Sequence, residues 1–149
     1  MEIKYQIFEN ENLLIYKFKG DFSLEDYKHF SRFILEKTAS FNINKLLIDF
    51  RDLEIDDHFY ESDNLNANIK NVAKIRKDLN PNIKNLKEII HVFWVDQPQS
   101  TVLVDLFIEN FPGMNYHYCS TVDSILSLLK LPKHLQNLNE ITNNLKNTF

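Results

Sequence analysis

Two stretches of this chain are apolar almost without interruption. They are Lys45-Leu46-Leu47-Ile48-Asp49-Phe50 and Ile89-Ile90-His91-Val92-Phe93-Trp94-Val95. Runs of this length suit strands, and a strand that is apolar on both faces has to be covered on both faces, as in a parallel sheet flanked by helices. The rest of the chain has to supply that cover.

The neighbouring segments have the right periods. Residues 2–8 alternate, with Ile3, Tyr5 and Ile7 on one side and Glu2, Lys4 and Gln6 on the other. Residues 13–19 place Leu14, Tyr16 and Phe18 on one face, with Leu13 and Ile15 making the other face apolar too. The polar connector Glu9-Asn10-Glu11-Asn12 has hairpin length, so these two strands are antiparallel, with the first at or near an edge. After Gly20-Asp21, Ser23 with Asp26 resembles a capping box with Asp in place of Glu, and Leu24, Tyr27, Phe30 and Ile34 follow at helical spacing over about 23–39.

The spacing of Leu65, Ile69, Val72, Ile75 and Leu79 predicts a second helix over about 60–79, ended by Asn80-Pro81. Residues 51–60 read as acidic and irregular. The second buried strand lies within Glu88 to Asp96. Pro98 opens a third helix with the apolar face Val102, Leu103, Leu106 and Phe107, and Pro112-Gly113 closes it. Tyr116, Tyr118 and Cys119 suggest a last strand, and Ser120-Thr121-Val122-Asp123 caps a fourth helix through Lys130. Beyond Pro132, the stripe Leu135, Leu138, Ile141, Leu145 and Phe149 predicts one more helix, buried on its own domain or on a second subunit of a homodimer.

The expected architecture is therefore α/β: a mixed sheet of about five strands, an opening antiparallel hairpin followed by parallel βαβ units with right-handed crossovers, flanking helices and an extra C-terminal helix. A chain of 149 residues with 44% apolar residues, twelve Phe and six Tyr has material for one well-filled core. The expected organisation is a domain over 1–130 with an extension over 131–149.

The motifs of common chemistries are missing. With only Gly20 and Gly113 the chain has no GxGxxG, P-loop or GxSxG, all of which need closely placed glycines. Cys119 is the single cysteine, so neither an intramolecular disulfide nor a multi-cysteine metal site can form, and its place in a strand suggests an inert thiol. A formal net charge of −4 argues against non-specific nucleic-acid binding. Lys70, Lys74, Arg76 and Lys77 read as a solvated helix face. The opening Met-Glu-Ile-Lys lacks the pattern of a secretory signal, and the apolar runs fall short of the ~20 residues that span a bilayer, so no integral membrane segment and a cytoplasmic location are expected.

The densest polar cluster is Asp49, Arg51, Asp52, Glu54, Asp56, Asp57, His58, Glu61 and Asp63, at the carboxyl end of a central strand, where open α/β sheets bind ligands. Three readings compete: a divalent-metal site, although no spacing matches a known loop; a solvated acidic loop that caps the second helix; and a recognition loop for a protein partner. The last two are compatible. They make Asp52, Glu54, Asp56, Asp57, His58 and Ser62 the candidate partner-binding residues, with no catalytic residue, metal ligand or cofactor assigned. The five histidines are dispersed, and no pair has the i, i+4 spacing of a helical metal site. His91 shares a face with Phe93 and Val95 and reads as half-buried and hydrogen-bonded. Phe18, Phe22, Tyr27, Phe30, Phe33, Phe50, Phe93, Trp94, Phe107 and Phe111 read mainly as core, or else as the lining of an apolar pocket between helices and sheet.

Three stretches resemble the STAS-like domains, specifically the SpoIIAA-like family of bacterial proteins. They are Phe18-Lys19-Gly20-Asp21-Phe22-Ser23 after the hairpin, Lys45 to Leu53, and Val92-Phe93-Trp94-Val95-Asp96-Gln97-Pro98 with Phe107, Phe111, Gly113 and Cys119 to Leu126. Together they span about 2–130. The resemblance implies a non-enzymatic regulatory or protein-interaction domain. The family's regulatory serine turn would fall on Ile55-Asp56-Asp57-His58-Phe59, where Asp57 and His58 stand in the serine places and the glycine is absent, so the phosphorylation switch is not expected. STAS-like folds also bear an architectural likeness to CRAL-TRIO lipid-transfer domains, which makes a carrier or sensor of a lipid or other apolar ligand the alternative.

Overall fold

The computed structural model describes residues 1–79 and 83–149, with the backbone alone for 62, 63 and 83–85. The expected helix stop at Asn80-Pro81 lies outside the described residues, as does the Ser62 side chain.

Strands β1 (Glu2–Phe8) and β2 (Leu13–Asp21) form the opening antiparallel hairpin, with Tyr5 opposite Tyr16. Between them a 3-10 turn at Glu9–Glu11 ends on Asn12 at φ 50, a left-handed conformation that Asn tolerates better than most residues. Helix α1 (Leu24–Ser40) starts where expected, with the Ser23 hydroxyl accepting the Asp26 N–H at 3.2 Å. Asp26 turns its carboxylate to the Met1 ammonium, 3.4 Å away. Strand β3 (Lys45–Glu54) runs parallel to β2. It extends four residues past Phe50, because Lys19, Gly20 and Asp21 of β2 continue to pair with Asp52, Leu53 and Glu54 beyond an irregularity between Lys17 and Lys19. The first half of the segment read as irregular is thus strand.

The second half is helical. A short helix α2 (Asp57–Tyr60) precedes α3 (Ser62–Leu79), the two separated at Glu61. A 3-10 segment (Ile83–Glu88) leads into β4 (Ile90–Trp94), which is parallel to β3 and shorter than the apolar run that announced it. Then follow α4 (Pro98–Glu109), with proline in its first turn, β5 (Tyr116–Cys119) and α5 (Val122–Leu129), capped by Thr121. Gly113 takes φ 81 in the turn between α4 and β5, where a side chain would be strained.

The C-terminal segment departs from the single helix expected of it. Pro132 introduces a 3-10 turn (Lys133–Leu135), Asn137 caps a six-residue helix α6 (Leu138–Asn143), and Asn147–Thr148 form β6 on the free edge of β1. Asn137, Asn139, Asn143 and Asn144 explain the interruption, since asparagine side chains compete for backbone groups and favour caps over helix interiors. Among the described residues the sheet therefore has six strands, in the order β5-β4-β3-β2-β1-β6.

Each sheet face is covered, as the two apolar runs require. On one face Leu14, Tyr16, Phe18, Leu46, Ile48 and Phe93 meet α1, α3 and α4. On the other, Leu13, Ile15, Leu47, Val92 and Trp94 meet α5 and the C-terminal segment, where Leu135, Leu138 and Leu145 are buried. Phe149 crosses to the first face and packs edge-on against Phe30. No helix among the described residues is long and apolar enough to cross a membrane.

Candidate functional site

The first face is not completely filled. A cavity of about 100 Å³ lies between the sheet and helices α1, α3 and α4. Its floor is Tyr16, Phe18, Ile48, Phe50 and Phe93, residues on alternate strand positions that point to the same side. Phe30 and Ile34 of α1, Ile69 and Val72 of α3, and Val104 and Phe107 of α4 form its walls. A space of this size is comparable with cavities known to take up a small apolar ring. Phe22 and Tyr27 also line it. The remaining aromatics do not: Phe33 packs against Tyr5 and Phe149, Phe111 against Phe107 and Tyr116, and Trp94 belongs to the opposite face.

The cavity follows the strands and has two unlike ends. His91 is the second residue of β4, level with Leu46 of β3, while Leu53 lies toward the carboxyl end of β3. The rise from residue 46 to residue 53 is about 23 Å at about 3.3 Å per residue. At the carboxyl end the lining is Phe22, Leu53, Ile55, Phe59 and Ser100, all half-buried. The Phe22 and Phe59 rings meet edge-on there, 5.6 Å apart. This end is the mouth.

The inner end is polar. Arg76 is buried at 7% exposure, and His91 at 2%, both lining the cavity with Tyr16, Tyr27, Ser31 and Tyr116. Among the described residues no carboxylate lies within ion-pairing distance of Arg76. Burial raises the pKa of Tyr16, Tyr27 and Tyr116, and the nearby Arg76 charge partly opposes the rise in each. The phenols are therefore neutral. Burial also drives the His91 pKa down to about 3, with Arg76 adding to the effect and the hydrogen bond to Ile89 opposing it. Since His91 Nδ1 lies 3.0 Å from the Ile89 carbonyl, which can only accept, the proton of the neutral ring sits on Nδ1. Nε2 is left as a buried acceptor without a partner among the described residues.

The solvated face expected of Lys70, Lys74, Arg76 and Lys77 does not include Arg76. The three lysines are exposed; Arg76 is not. The signal was present in the spacing, because Ile69, Val72, Ala73 and Arg76 stand at i, i+3, i+4 and i+7 on the buried stripe of α3. Leu65, Ile75 and Leu79, assigned to that stripe, are only half-buried.

The acidic candidates sit outside the mouth. Asp52 pairs with Lys17 at 2.7 Å; Glu54 is exposed, and its carbonyl accepts the Phe22 N–H. Asp56 caps α2 by accepting the His58 N–H at 2.7 Å, and His58 Nδ1 meets Glu61 Oε1 at 2.6 Å. Asp57 is exposed in the first turn of α2. Asp56 thus caps the short helix, one turn earlier than the acidic loop was expected to act. Among the described residues no three His, Cys, Asp or Glu side chains are grouped so as to hold a metal ion. Asp52, Glu54 and Asp57 border a polar groove with Lys19, Arg51 and Tyr60, and this groove shares Leu53, Ile55 and Ser100 with the cavity mouth.

Asp49 and Arg51 have a different task. Asp49 is fully buried on the opposite face and receives Arg51 Nε at 2.9 Å and Nη2 at 2.8 Å. The same guanidinium stacks over Trp94, 3.4 Å from the ring centroid, and reaches Asn139 and Thr142 of α6. This pair fastens the C-terminal segment to the sheet. Cys119 is buried on that same face, its pKa raised by burial, in keeping with an inert thiol.

No family model matches the chain, and no curated protein matches it either.

Proposed function

We propose that this protein binds an apolar small molecule in the cavity between the sheet and helices α1, α3 and α4, as a carrier or sensor rather than a catalyst. The observation that carries the reading is the unfilled aromatic space itself: protein interiors are ordinarily close-packed, and a void of about 100 Å³ beside buried polar groups is a costly feature to keep without a use. The STAS/SpoIIAA-like assignment remains our reading of the sequence motifs, and the mixed sheet with its opening hairpin is compatible with it.

Calorimetric titration with toluene, a neutral single-ring probe matched to a space of about 100 Å³, tests this function. Wild type should bind the probe, and Ser31→Leu, which extends an apolar side chain into the space from α1, should lose most of that binding while keeping its far-UV circular dichroism. Equal binding by the two proteins, or none by wild type, would refute the cavity as the site.

A second reading, recognition of a protein partner, draws support from the exposure of Asp56, Asp57 and His58 on the helix that carries Phe59 over the mouth. In a sensor, such a helix is well placed to report on the cavity.

A further inference from the structure

We infer that the cavity's ligand is a small apolar monocarboxylate, an aryl or short alkyl carboxylic acid, with its head group on Arg76 at the inner end and its apolar part directed toward Phe22 and Phe59. This inference rests on the cavity being a ligand site, and it adds the ligand's charge and orientation.

The argument starts from the cost of Arg76. A guanidinium keeps its charge in any protein environment, and burying it without an anion is strongly unfavourable. Arg76 is more than nine-tenths buried, lines the cavity and has no carboxylate partner among the described residues. The groups around it on other elements are Tyr16 on β2, Tyr27 on α1, His91 on β4 and Tyr116 on β5, none of which brings a negative charge. An entering anion would balance the Arg76 charge.

The surroundings narrow the anion. One fixed positive charge balances one negative charge, which favours a carboxylate over a phosphate dianion. A planar carboxylate also matches the guanidinium fork, and neutral phenols can donate to its remaining lone pairs. The rest of the lining is aliphatic and aromatic, so the remainder of the ligand has to be apolar. The small volume favours a ring or a short chain over a long one.

Calorimetric titration with matched pairs tests the inference: 3-phenylpropionate against 3-phenylpropanol, and octanoate against octanol. Wild type should bind each acid about tenfold to a hundredfold more tightly than its alcohol, the range expected of a charge-assisted hydrogen-bonded pair. Arg76→Met should abolish that preference by lowering the affinity for the acid to that for the alcohol, with the far-UV circular dichroism unchanged. Should that variant fail to fold, Tyr116→Phe and Tyr27→Phe serve instead, each narrowing the acid-to-alcohol ratio severalfold. Equal binding of acid and alcohol by wild type would overturn the inference and leave the cavity reading standing. Binding of neither, together with no binding of toluene, would overturn both. An acid preference that survives intact in Arg76→Met would also overturn it, by placing the anion elsewhere.

Discussion

Replacing Arg51 with methionine removes one half of a buried ion pair and leaves the other half in place. Asp49 is 0% exposed and takes two of its side-chain hydrogen bonds from Arg51, at 2.8 and 2.9 Å. Lys17 Nζ lies 3.9 Å from Asp49 and is already engaged by Asp52 at 2.7 Å, so it compensates poorly. Stranding one member of such a pair costs about 3–5 kcal/mol. Loss of the bonds to Asn139 and Thr142 adds about 1 kcal/mol, while methionine keeps part of the packing on Trp94. A total of about 5 kcal/mol is a large share of the roughly 5–15 kcal/mol that holds a domain together. Urea unfolding followed through Trp94, the only tryptophan, reads the change directly. With a slope of about 2 kcal/mol per molar urea, the midpoint should fall by about 2.5 M. The double variant Asp49→Asn/Arg51→Met should recover much of the loss, because no buried charge is left unpaired. A single-variant cost below about 1 kcal/mol, or additive effects in the double-mutant cycle, would refute this account of the pair.

One further expectation comes from the cavity face and another from α2. Because His91 titrates near pH 3 when folded and near 6.5 when unfolded, the unfolded state takes up the proton first as pH falls. The stability contribution is complete above pH 6.5 and declines by about 1.4 kcal/mol per pH unit from there to about pH 3, about 2 kcal/mol being lost by pH 5. His91→Phe should lack this component, so its urea midpoint should gain on wild type between pH 7.5 and 5; parallel profiles would contradict it. For the partner reading, Asp56→Lys/Asp57→Lys should release any protein retained by wild type in a pull-down while leaving probe binding in the cavity intact, and unchanged retention would count against α2 as the contact.

The sheet was legible because its evidence is local. Leu46 to Phe50 and Ile89 to Val95 have few ways to bury both faces, and Ser23 and Thr121 cap the helices that follow them, as their residue types suggest. The C-terminal segment was misread because a 3-4 spacing of leucines is also met by residues that reach the same core from a 3-10 turn, a short helix and an extended segment in succession. The polar end of the cavity was harder still. Arg76 carries the same charge as its exposed neighbours Lys74 and Lys77, and only its i+7 relation to Ile69 sets it apart. Tyr16, Tyr116 and His91 come from three strands, so their convergence depends on strand order, which no single segment contains.

The two faces of the sheet divide the labour of the molecule. One is aliphatic, sealed by α5 and the C-terminal segment and pinned by Asp49 and Arg51. The other is aromatic and hollow. Leaving this space unfilled forfeits packing contacts, a loss that the well-packed face can offset without contacting the cavity. Residues such as Ser31, Val72 and Val104 are thereby released from holding the fold together alone, and their sizes are open to variation. Changes there should redraw the shape of the chamber while the rear wall keeps its register, a property that would let one scaffold be retuned from one small guest to another.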